Sequence, residues 1–136
     1  MTPAEQLSGR MPSAPDIHEI ARDTLARLPS PFKESLGDVV LVIEEVADPD
    51  TARGLGLDYP MQLSGLYQGV PLHLQSVSMS GMIPERITLY RRPIIAEWRS
   101  TTFSLAQIVS HIVIHEVGHH FGFSDDDIDA LEREAE

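Results

Sequence analysis

His115, Glu116 and His119 stand inside the stretch HIVIHEVGHHFGFSDDDI, residues 111 to 128. On a helix, positions i and i+4 share a face one turn apart, so two imidazoles at 115 and 119 can grip one divalent ion. Glu116, beside His115, can reach a water on that ion without ligating it, which is the placement of a general base. The alternative is a pair of core histidines satisfied by hydrogen bonds. A second imidazole one turn on, with a carboxylate between the two, favours the metal. Zinc needs a third donor. Gly122 can take the left-handed conformation that ends a helix and turns the chain back under the ion, and Asp125 then falls where a carboxylate completes the set. The pattern HExxHxxGxxD runs from His115 to Asp125. Ser124 and Asp125 to Asp127 also read as the cap of a last helix, with Asp126 and Asp127 compensating its dipole in solvent.

These side chains need a rigid carrier. Ser104 and Gln107 form a capping box, and residues 104–120 read as a helix of roughly 25 Å. Its apolar residues Leu105, Ile108, Val109, Ile112, Val113, Ile114, Val117 and Phe121 cover nearly the whole circumference, so the helix is expected to be buried. An earlier helix opens at Ser13, with Pro15 in its first turn and Asp16 against its dipole. It carries Ile17, Ile20, Ala21, Leu25 and Leu28 at helical spacing, and Pro29 and Pro31 stop it. Residues 39–43, a continuous and mostly β-branched run, suit a central strand covered on both faces. Residues 65–69 and 87–91 read as two more strands. Residues 47–64, rich in Gly, Pro and Asp, read as a loop, and residues 1–12 as disordered ahead of one domain over residues 13–136.

Composition narrows the function. The chain of 136 residues has no cysteine, which excludes disulfides, thiolate metal sites and a thiol nucleophile. Its formal net charge of -11, from 21 Asp and Glu against 10 Lys and Arg, repels phosphate backbones, so nucleic acid is not an expected partner. The N-terminus has neither an apolar run nor a basic start, so no signal peptide or membrane span is expected and a cytoplasmic protein is.

HExxHxxGxxD in VIHEVGHHFGFSDDDI, together with GLYQGVPL and PERITLYRRPI upstream, resembles the family of small bacterial zincin-like metallopeptidases. The resemblance extends from the first helix to Leu131. It implies an α+β minimal zincin fold: a small mixed sheet against an N-terminal helix and a buried active-site helix, then a short C-terminal helix. It also implies His115, His119 and Asp125 as zinc ligands and Glu116 as catalytic base. The expected activity is hydrolysis of a peptide or protein substrate by a zinc-held water. The alternative is a non-catalytic zincin-fold binding module with a structural metal or none. No methionine follows the motif, so the methionine turn that floors larger zincin sites is missing.

Other residues could bear on the same site. His111, one turn before His115, reads as a supporting or surface group, and His120 as a partly exposed one pointing away from the metal. Tyr67, Tyr90 and Arg91 are candidates to polarise a carbonyl, against the commoner role of packing. Asp125, Asp127, Asp129 and Glu136 approach a calcium-loop spacing, but Ala130 stands where that loop needs glycine. A peptide would add as a strand along residues 87–92.

Overall fold

Ser13 starts the first helix as its sequence dictates. In the computed structural model, which describes residues 11–30, 32–36, 38–69 and 85–135, its hydroxyl accepts from the Asp16 amide while the Asp16 carboxylate accepts from the Ser13 amide at 2.9 Å. This reciprocal cap satisfies donors that a helix start leaves open. Helix α1 (Ala14–Ala26) follows and buries Ile17, Ile20, Ala21 and Thr24. A single turn, α2 (Phe32–Ser35), leads to strand β1 (Val40–Glu44). The expectation of disorder at residues 1–10 lies outside the described residues.

Residues 47–64 are more ordered than a composition rich in Gly, Pro and Asp suggests. Asp48 caps a short helix, α3 (Pro49–Gly54), and a 3-10 turn spans Pro60–Gln62. Each is too short to display a hydrophobic period, so only the cap chemistry announces it. Strands β2 (Gly65–Gln68) and β3 (Arg86–Tyr90) complete the described sheet, whose order is β1-β3-β2. β1 runs parallel to β3 and β2 antiparallel to it, so the sheet is mixed.

The strand order corrects one expectation. β3, not β1, is central, with Ile87, Thr88, Leu89 and Tyr90 all buried, while Val40 at the start of β1 is 40% exposed. A β-branched run signals strand, but which strand lies in the middle is decided by pairing partners far away in sequence. Arg91 is not in the strand either: it begins helix α4 (Arg91–Ser100), which the sequence reading did not anticipate. Tyr90 at its N-cap makes no side-chain cap, and Pro93 in the first turn is the local mark of its start.

Helix α5 (Leu105–Phe121) carries the expected capping box at Ser104 and Gln107. Its buried residues include Ile108, Val109, Val113, Ile114 and Val117, each of which contributes about 1.5–3 kcal/mol of burial. Thr24 of α1 ties to Ser110 of α5 through hydroxyls 2.8 Å apart. Gly122, at φ 69 and ψ 29, ends α5 in the left-handed conformation foreseen for it, and the Phe123 amide reaches back to the Gly118 carbonyl at 2.9 Å. Helix α6 (Asp125–Ala135) then packs back on α5 so closely that a Cβ on Gly118 would lie 2.3 Å from Ile128 Cγ1. Among the described residues no helix is long and apolar enough to cross a membrane.

Candidate metal centre

α5 is apolar around most of its surface, and His115 and His119 interrupt it on one stripe. Their rings lie 4.8 Å apart between centroids and inclined at 67°. His115, Glu116 and His119 each offer a ligand atom within 4.8 Å of the others. The sequence-predicted trio therefore converges. His119 is exposed, His115 half-buried, and Glu116 only 6% exposed, so a buried carboxylate backs an accessible pair of imidazoles. Glu116 Oε1 stands 3.3 Å from His119 Nδ1.

The main chain of β2 supplies the donor that holds Glu116. The Tyr67 amide donates to Glu116 Oε1 at 2.8 Å. This amide is available because of the register with β3. The Tyr90 amide donates to Ser64 O, and Leu66 and Gln68 pair with Thr88 and Arg86, so the groups of Ser64, Leu66 and Gln68 turn toward β3. In an antiparallel ladder the alternate residues, Gly65 and Tyr67, turn theirs away. Gly65 lets the strand lie close on the helix: a Cβ there would sit 2.5 Å from Ile112 Cγ2 and 3.5 Å from Glu116 Cγ.

His120 departs from its expected place. It is 1% exposed, not partly exposed, because it lies one turn beyond Glu116 and shares the face of α5 that β2 covers. Its Nδ1 is hydrogen-bonded to the Tyr67 hydroxyl at 3.0 Å and stands 3.4 Å from Glu85 Oε1. Its Nε2 is buried with no hydrogen-bond partner among the described residues, a condition that costs about 1–3 kcal/mol. Burial holds the His120 imidazole below its ordinary range, with Glu85 opposing. Burial first, and Glu85 second, push the Tyr67 phenol up to about 12.

The remaining candidates sort by what they touch. His111 is exposed and pairs with Glu132 of α6 at 2.7 Å, in keeping with a surface role. Tyr90 is buried at the end of β3, and Arg91 is held by the Pro12 carbonyl and Glu45, so neither belongs to the histidine cluster. The edge proposed for a peptide, residues 87–92, is not one: β3 is flanked on both sides, and Arg91 and Arg92 are helical. Asp125 begins α6 directly after the Gly122 turn, but its side chain lies outside the described part of the structure. Ser124 and Asp127 cap α6 reciprocally, each amide donating to the other's side chain at 3.2 Å. Sequence reasoning missed the contacts of Tyr67 and His120 on the Glu116 side of the helix. Only the spacing of Glu116 and His120, one turn apart, hinted at them. A separate crevice of about 480 Å³, lined by Thr24, Phe103, Ile108, Ile114 and Glu132 among others, includes none of His115, Glu116 and His119.

Compared with known families, residues 36–135 match the model of the zincin-like metallopeptidases. A search of curated proteins gave no match.

Proposed function

Since the chain belongs to the zincin-like metallopeptidase family, we propose that it is a zinc-dependent peptidase in which His115, His119 and Asp125 hold the ion and Glu116 is the general base. The observation that carries this reading is the convergence of two imidazoles and one buried carboxylate on a single turn of α5. The donor set fits zinc, which takes imidazole nitrogen and carboxylate oxygen in open, three-ligand catalytic sites. His119 turns Nδ1 toward Glu116, so Nε2 is the ring nitrogen left for a metal. Bound zinc would supply Lewis acidity, polarising a carbonyl and lowering the pKa of water towards neutral.

The chain's own residues do the rest. Glu116 has Oε1 fixed by the Tyr67 amide, which leaves Oε2 to accept a proton from the attacking water. As the C–O bond forms and the C–N bond breaks, the same carboxyl returns that proton to the leaving amine. The outward-facing groups of Gly65 on β2, the strand nearest Glu116, offer an extended peptide a strand partner. We place the activity in the cytoplasm and its substrate among peptides or proteins.

Zinc analysis of the purified chain tests this reading. About one zinc per chain, with a coordination position open to water, is the expected result. A chain that takes up no zinc, or a closed four-ligand site, would overturn the peptidase in favour of a binding module.

A further inference from the structure

We propose that Tyr67 and His120 form a clasp that positions Glu116, an inference that takes its catalytic meaning from the peptidase reading above. Glu116 and His120 lie one turn apart on the covered face of α5, and one residue of β2 meets both. Tyr67 gives its amide to Glu116 Oε1 at 2.8 Å and its hydroxyl to the bond with His120 Nδ1 at 3.0 Å. Two attachments a helical turn apart fix the strand against sliding and against rotation, which one would not. The carboxylate is then held in one orientation by a main-chain donor whose own position is set from the far end of the tyrosine side chain.

Two further observations point the same way. His120 is enclosed with Nε2 unpartnered among the described residues, a cost that a leucine or phenylalanine filling the same space would avoid. What the imidazole contributes there is its other nitrogen, bonded to Tyr67 and close to Glu85. Glycines also flank the clasp on both sides. A Cβ on Gly65 would strike Ile112 and crowd Glu116, and one on Gly69, at φ 143, would stand 3.1 Å from the Tyr67 hydroxyl. The strand is thus free of side chains at the two places where they would lift Tyr67 from its contacts. Tyr67 and His120 act as positioning residues, since neither is among the groups that bind the ion or take the proton.

The test is amide hydrogen exchange by NMR on the full chain, with turnover of a fluorogenic peptide library measured on the same samples. In Tyr67→Phe the amide of residue 67 should exchange about tenfold faster, while Leu66 and Gln68, bonded to β3, keep their protection. Zinc content and KM should stay near the parent's while kcat falls about tenfold. His120→Asn, which retains a polar atom near the place of Nδ1, should keep most of the protection at residue 67. Glu116→Ala should remove that protection outright and so verify its source. Unchanged exchange at residue 67 in Tyr67→Phe, or an equal rise across residues 66–68, would overturn the clasp. Selective loss at residue 67 in a chain that binds zinc but cleaves nothing would remove the peptidase and keep the clasp.

Discussion

Gly118→Ala is the perturbation whose cost the structure sets most directly. Gly118 lies between Glu116 and His119 on α5, where α6 crosses, and an added Cβ would meet Ile128 Cγ1 at 2.3 Å and Cδ1 at 2.6 Å. Non-bonded carbons do not approach so closely, and Ile128, β-branched and 4% exposed, has little room to change rotamer. Overpacking of this kind costs about 1–3 kcal/mol, whereas alanine in place of glycine inside a helix returns about 1 kcal/mol of propensity. Because two atoms are struck, we expect the upper part of the range, a net loss of about 1–2 kcal/mol. For a domain of this size that lowers Tm by about 3–10 °C. Thermal and urea unfolding measure it. Ile128→Ala alone should cost about 2–5 kcal/mol, but combined with Gly118→Ala it removes the struck atoms. The double variant should therefore be more stable than the sum of the two by at least about 1 kcal/mol. A Tm unchanged or raised in Gly118→Ala would refute the close packing of α6 on α5, since propensity alone would then decide the outcome.

Three other outcomes are expected. Gly65→Ala should destabilise by about 1–3 kcal/mol and raise exchange at residue 67, because the new Cβ meets Ile112 at 2.5 Å; unaltered stability would mean that β2 does not lie so close. The difference between the alkaline absorbance titrations of the parent and Tyr67→Phe should have its midpoint near 12, since burial and Glu85 keep that phenol protonated. With the folded value above the unfolded one, its contribution to stability is present below about pH 10 and is lost as pH rises towards 12, and a difference curve centred near 10 would contradict this. Asp127→Ala should cost about 1 kcal/mol through its lost cap while keeping zinc affinity, and Asp125→Ala should weaken zinc at least about tenfold. Equal zinc losses in calorimetric titrations would reduce Asp125 to part of the cap.

What could be read from the sequence was chemistry confined to a few neighbouring residues. Ser13, Ser104 with Gln107 and Gly122 specify helix ends through local hydrogen bonds and one backbone conformation and act as expected, while Asp16, expected only against the helix dipole, also closes the Ser13 cap. The convergence of His115, Glu116 and His119 is equally local, a property of helical spacing. The order of strands was not legible, because β3 becomes central through partners on both sides that lie up to some 46 residues away. His120 does point away from the metal face, but that face is the one β2 covers, so the residue is buried where exposure is expected. The Tyr67 contact with Glu116 uses a main-chain amide, which every residue but proline possesses, so side-chain patterns do not mark it.

The central claim, that Glu116 is the base of a zinc peptidase, meets its most direct test in Glu116→Gln. The substitution keeps volume and the oxygen that accepts from the Tyr67 amide, and it removes basicity. Zinc titration and peptide cleavage are measured on the same samples. Zinc occupancy should stay near the parent's, with kcat lower by about 10²- to 10⁴-fold. Activity that follows bound zinc one for one in the glutamine variant would contradict it.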